Sequence, residues 1–169
     1  DSDDFFEKDK LKKISNVFKE DASKECVCDI PKITNIKKKY KSFSYKKNVN
    51  PKERWPTIFP TSTISVRRDS FSSFLNEKFD QQFAELAIDF RLITYFYNFR
   101  QNLSITDQEL TWYLNNNDGN ESKYKKYTPR WWKRRSQSFD YLLEILKKKN
   151  FDHDKTFDYT VTRFLNKIF

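Results

Sequence analysis

The residues predict an all-α protein: a small irregular helical bundle, about four helices after residue 69, preceded by a short helix and a long extended basic arm. Three observations carry that expectation. Apolar residues recur at helical spacing near the start of the chain and again beyond residue 69. Between Asp29 and Thr63 that periodicity is lost, and four of the five prolines fall there, at Pro31, Pro51, Pro56 and Pro60. Charge comes in blocks, which separates an arm from a body. The organisation that follows is a helix over 1–20, an arm over 21–68 and a helical domain over 69–169.

The first helix rests on Leu11, Ile14 and Phe18, with aspartates ahead of it where the helix macrodipole favours negative charge. In the arm each proline removes a backbone donor, and the cations Lys37, Lys38, Lys39, Lys41, Lys46, Lys47, Lys52, Arg54, Arg67 and Arg68 alternate with Tyr40, Phe43, Tyr45, Trp55 and Phe59. Thr63, Ile64 and Val66 could supply a short extended piece; no strand with convincing alternation stands out.

Ser70 is placed to cap the strongest periodicity in the chain, Phe71, Phe74, Leu75, Phe79, Phe83, Leu86, Phe90, Ile93 and Tyr97, which reads as one central helix. Thr106 to Glu109 fits a capping box ahead of a short helix bearing Leu110, Tyr113 and Leu114. The polar run from Asn115 ends that helix at Gly119, the one glycine of the chain. Residues 120–127 read as a polar loop. Thr128 followed by Pro129 starts a fourth helix, because proline at the first helical position loses no intrahelical bond. Trp132, Arg135, Phe139, Leu142, Leu143 and Leu146 share its face, and it closes near Asn150. A last helix from about Asp154 carries Phe157, Val161, Phe164, Leu165 and Ile168 on one side.

In a chain of 169 residues with net charge +9, the charge blocks say more than the total. Residues 31–68 hold 11 basic and 1 acidic residue, residues 69–120 hold 3 and 8, and residues 121–149 hold 10 and 3. Aromatic residues make up 18%, enough to argue against disorder throughout although mean hydropathy is −0.93. Abundant Lys, Asn, Ile, Phe and Tyr beside scarce glycine is a bias that A+T-rich codons produce, as in organellar genomes and some protist nuclear genomes, so placement carries more weight than counts. The chain contains no methionine, which points to a start that was processed or trimmed. Its longest apolar stretch, Leu86 to Phe99, is interrupted by Asp89 and Arg91 and is no transmembrane span.

Catalytic and metal chemistry find little footing. Cys26 and Cys28 are too close for an ordinary disulfide and would need two further ligands to hold zinc, so they read as reduced thiols unless a partner completes a site. Asp152, His153 and Asp154 set a base between carboxylates with no nucleophile placed by spacing, and one glycine cannot build a phosphate loop. The expectation is a non-enzyme without catalytic residues, metal or cofactor.

Binding chemistry is concentrated in the second basic block. Lys123, Lys125, Lys126, Arg130, Lys133, Arg134 and Arg135 gather at a helix start, where phosphates meet both side-chain charge and free amides, and Trp131 lies off the core face where it could stack on an unpaired base. With the arm cations Lys37, Lys38, Lys39, Lys41, Lys46, Lys47, Arg54, Arg67 and Arg68, these form the expected RNA-binding set. The leading expectation is a structural subunit of a large organellar ribonucleoprotein, ribosome-like and mitochondrial, whose partners are rRNA and neighbouring protein subunits. The alternative is an accessory subunit of an organellar membrane complex, acting through protein contacts.

Overall fold

The computed structural model describes residues 4–34, 41–43, 54–77, 83–114, 123–151 and 156–169. It corrects the all-α expectation: the fold is mixed α/β. Among the described residues five α-helices are joined by two small mixed sheets. In chain order these elements are β1 (Phe5–Phe6), α1 (Lys10–Glu20), β2 (Cys26–Cys28), β3 (Pro31–Thr34), β4 (Lys41–Ser42), β5 (Ile64–Val66), α2 (Arg68–Asn76), α3 (Ile88–Thr94), β6 (Leu103–Ile105), β7 (Thr111–Leu114), α4 (Pro129–Lys148) and α5 (Phe157–Ile168). A 3₁₀ turn, Thr61–Thr63, leads into β5, and a π-helical stretch, Tyr95–Arg100, continues α3.

One sheet has the order β1-β7-β3-β4 and the other β5-β2-β6. Both are built on the same two stretches of chain. Residues 26–34 run parallel to 103–114, first as β2 on β6 (Cys26 opposite Leu103), then as β3 on β7 (Pro31 opposite Thr111). The partner offset grows from 77 to 80 between those two registers, so three extra residues bulge out of the second stretch at 107–109. That bulge turns one ladder into two sheets. Thr106 and Ile30 stitch the break, their amides donating to the carbonyls of Cys28 and Gln108 at 2.9 and 3.0 Å.

The predicted short helix after Thr106 is therefore a strand. Thr111, Trp112 and Tyr113 are β-branched or aromatic, the residue types that suit a pleated half-buried surface, and the Thr106 amide is spent on Cys28 rather than on a capping box. Within the segment read as arm, β2 is wholly buried and gives no alternation because both of its faces are covered. The central helix is two helices: α2 stops at Asn76, where the Glu77 amide turns back to Phe74, and α3 begins after Ala87. Gln101, in the left-handed region at φ 58°, ends the π-helical stretch with its amide on the Phe96 carbonyl.

The core is mainly aromatic. Trp55, from the segment read as arm, lies between Phe90 and Phe139 at centroid distances of 5.4 and 4.7 Å. Tyr141 packs edge-on to Phe83 and donates its hydroxyl to the Arg91 carbonyl, which locks α4 onto α3. The fourth predicted helix starts as its sequence signal says, with Thr128 Oγ1 accepting from the Trp131 amide at 3.3 Å.

At the sheet break lies a buried ion pair. Lys10 Nζ of α1 is 2.9 Å from Asp29 Oδ2, and both side chains are almost fully buried. The ammonium also donates to the Ser62 carbonyl and to Thr111 Oγ1, each at 2.6 Å, while Thr111 donates to Asp29 Oδ1 at 2.7 Å. Burial pushes the Asp29 carboxyl above the ordinary aspartate range, against the pull of Lys10. Because this folded-state value is raised, the carboxyl's contribution to stability is full below the ordinary range and is lost as pH rises through the folded value. Asp29→Ala strands a buried cation and should cost roughly 3–5 kcal/mol of unfolding free energy in denaturant titration. The volume-matched pair Lys10→Met with Asp29→Leu should recover most of that loss; a double variant as unstable as Asp29→Ala would contradict this account.

Candidate nucleic-acid interface

The second basic block folds into one surface around the start of α4. Lys123, Lys125 and Lys126 are exposed just before the helix, and Arg130 and Lys133 follow on its first turns with 52% and 59% of their side chains exposed. Arg134 and Arg135 are half-buried. Amid these cations stand three rings. Trp132 is buried, Trp131 is half-buried with its ring 4.5 Å from that of Trp132, and Tyr127 is 70% exposed with its ring 5.4 Å from Trp131.

Tyr127 was missed among the candidate residues. Its backbone is left-handed, φ 66°, a conformation that costs an aromatic residue about 1–3 kcal/mol and is held only where its surroundings demand it. Here Thr128 makes the demand: its amide and hydroxyl both donate to the Lys125 carbonyl, at 3.2 and 2.7 Å. A signal was present in the sequence. Tyr127 precedes the cap and Trp132 is the fourth helical residue, the two positions of a hydrophobic staple, and their rings meet at 6.1 Å.

Not every cation here faces solvent unopposed. Glu85 accepts from Tyr124 Oη at 2.8 Å and from Arg130 Nε at 3.4 Å, with Lys133 Nζ at 3.8 Å. Arg130 and Arg134 both lie over the Tyr124 ring, at 5.1 and 4.4 Å. Arg135 is bonded to Asp158 of α5 and lies 5.3 Å over Trp131. The helix start also offers phosphate less than its sequence suggests, since Pro129 has no amide proton and the Trp131 amide is held by Thr128.

The remaining predicted contacts lie elsewhere. Arg54 stacks 4.1 Å over Phe151, beyond the C-terminal end of α4. Arg67 is absorbed into the fold, donating to the carbonyls of Phe18 and Lys24 and lying over the Phe18 ring. Arg68 is exposed as the first residue of α2, and Lys41 is in β4. Lys37, Lys38, Lys39, Lys46 and Lys47, like His153, lie outside the described residues.

Cys26 and Cys28 are free thiols buried on β2; the Cys28 thiol is pushed well up, by its hydrogen bond with Cys26 first and by burial second. Among the described residues no three His, Cys, Asp or Glu side chains gather as metal ligands, and no helix is long and apolar enough to cross a membrane. No family model, curated protein or solved structure matches this chain.

The Tyr124 hydroxyl bond, with Arg130 and Lys133 behind it, holds the Glu85 carboxyl below the ordinary glutamate range although partial burial opposes it. Being depressed, Glu85 contributes stability above the ordinary glutamate value and loses it as pH falls through the folded value. Titration of the side-chain carboxyl by NMR should therefore give a midpoint below that of a free glutamate, and Tyr124→Phe should move it upward. An unchanged midpoint in Tyr124→Phe would remove the hydroxyl from this account.

Proposed function

We propose that this protein is a non-catalytic structural subunit of a large ribonucleoprotein, holding single-stranded RNA on the Tyr127–Trp131 platform, among neighbouring protein subunits. The observation that carries the reading is an exposed tyrosine ring packed at a tilt of 57° against a half-buried tryptophan, with Lys125, Lys126 and Lys133 exposed at the same helix start. Unpaired bases stack on such rings irrespective of sequence, for about 1–3 kcal/mol per base, while cations neutralise phosphates and release counterions. Folded RNA presents such bases in loops and bulges. The A+T-type residue bias supports an organellar, mitochondrial setting for the same role.

Glu85 sets the strength of this surface by drawing Arg130 and Lys133 toward itself, so Glu85→Gln should tighten RNA binding and steepen its salt dependence. Binding of a fluorescent unstructured RNA is expected to weaken sharply between roughly 50 and 200 mM salt. Joint Lys125→Gln and Lys126→Gln replacement should lower the log–log salt slope by about 1.4, at about 0.7 per single-strand phosphate contact. Tyr127→Gly removes the ring while easing the left-handed backbone, so the fold persists and affinity should fall roughly five- to 150-fold. Absence of binding at about 50 mM salt, or affinity indifferent to both changes, overturns the proposal.

A further inference from the structure

Helix α5 packs with its polar side inward. The ion pairs Arg135–Asp158 and Asp140–Arg163 step along both helices in the same sense and with the same offset, so α5 runs parallel to α4. The buried residue of α5 is Thr162. The sequence assigns the opposite stripe, Phe157, Val161, Phe164, Leu165 and Ile168, to the core. Instead Phe157 is 85% exposed, Phe164 63% and Ile168 58%, and Val161 and Leu165 are partly exposed. Along the polar seam the two helices and Phe83 enclose a groove of about 660 Å³, within the range of small-ligand sites.

The two ends of this groove differ in chemistry. At one end Lys133 and Gln137 of α4 stand near the level of Tyr159 of α5, and together they offer an ammonium, an amide and a hydroxyl as donors. Gln137 is fixed in that role, because its Oε1 accepts from the Glu85 amide at 2.9 Å and its amino group is left to donate. Glu85, the carboxylate 3.8 Å from Lys133, is already taken up by Tyr124 and Arg130. At the other end, two helical turns or about 10 Å further along α4, Glu144 and Lys147 stand beside Asn166. Among the described residues none of these three has a hydrogen-bond or ion-pair partner. Between the ends Arg163 spans the seam, donating to Asp140 Oδ2 at 2.7 Å and to Ser136 Oγ at 3.4 Å, so the charge of Asp140 is matched within the groove.

Donors gathered at one end suit a phosphate, and a carboxylate flanked by donors suits guanine. We infer that the groove binds a guanine mononucleotide. Glu144 accepts from guanine N1–H and the 2-amino group, Lys147 and Asn166 donate to O6, and the 5′-phosphate lies against Lys133 and Gln137. Guanine sets two donors side by side with an acceptor on one edge. Adenine would bring a ring acceptor up to the carboxylate beside its one donor group, and uracil a single donor between two acceptors. Two helical turns also match the span from the base edge of a nucleotide to its phosphate. A free guanine nucleotide and an unpaired guanosine splayed out of RNA share this chemistry.

Titration of the full chain with GMP, followed by NMR at the Gln137 and Asn166 side-chain amides, should give saturable shifts with a Kd of about 1 mM or below. IMP, which lacks the 2-amino group, should bind about tenfold more weakly than GMP, and AMP more weakly still. Glu144→Gln, at a half-exposed helical position, should abolish the difference between GMP and IMP, and Lys133→Gln should weaken GMP while leaving guanosine unchanged. The source of the nucleotide is read with two unstructured RNAs, an oligouridine and the same oligouridine carrying one guanosine. A preference for the guanosine that is lost in Glu144→Gln assigns the groove to RNA; equal binding of the two RNAs beside selective binding of GMP assigns it to the free nucleotide. No saturable shift with GMP up to about 10 mM, equal affinity for GMP, IMP and AMP, or a distinction that survives in Glu144→Gln overturns the inference. GMP is titrated without RNA, so this site and the Tyr127–Trp131 platform can fail independently.

Discussion

Lys10 and Asp29 meet where one paired stretch of chain becomes two sheets, and much of the tertiary structure depends on that junction. The three-residue slip between 26–34 and 103–114 places a fully buried carboxylate, Asp29, at the break between the sheets. One ammonium group ties the elements there together: it joins α1 to Asp29 between β2 and β3, to the 3₁₀ turn through the Ser62 carbonyl, and to β7 through Thr111. Desolvating two such ions costs several kcal/mol each; their attraction and the bonds to Ser62 and Thr111 offset part of that cost, while Asp29 Oδ2 has the ion pair alone. The pair thus fixes an arrangement more than it adds stability. A chain slipped by one residue would bury either charge unpaired.

This junction also explains what sequence reading could and could not reach. Helix α4 was legible because its signals are local: Thr128, Pro129 and apolar residues within its own turns. The strands were not, because each has two to four residues and, the β3–β4 pair apart, its partners lie tens of residues away. Buried on both faces, Cys26, Val27 and Cys28 show none of the alternation that marks a half-exposed strand. Thr106 to Glu109 satisfies the capping-box pattern, yet it is the bulge between two strands; a four-residue motif cannot report that the Thr106 amide is claimed by the Cys28 carbonyl. Trp55 reads as a decoration of an arm because Phe90 and Phe139, on which it packs, follow far later in the chain, and Phe59 because its cluster draws Cys28 and Ile93 from either side of it.

The candidate interface was legible as a concentration of charge and illegible as a surface. Side-chain type located Lys123 to Arg135, but only the fold separates cations that face outward from those already committed. Arg67 holds the end of α1, Arg135 bridges Trp131 and Asp158, and Glu85, from a segment read as part of the central helix, draws on Arg130 and Lys133. Tyr127 shows the converse: called loop, it takes a strained backbone and becomes the most exposed ring of the platform.

Arg135 connects the platform to α5. Its guanidinium lies over Trp131 while binding Asp158 in the first turn of α5, so one side chain links the helix to the platform. That bond also bears on why α5 shows solvent its apolar stripe. Rotating the stripe inward would set Phe164 and Leu165 against Ser136 and Asp140 and withdraw Arg163 from Asp140, leaving a half-buried carboxylate without its partner. Within a single chain the choice is between exposed apolar area and an unpaired buried charge. The charge is the more costly of the two, because apolar surface can still be covered from outside and a stranded carboxylate cannot.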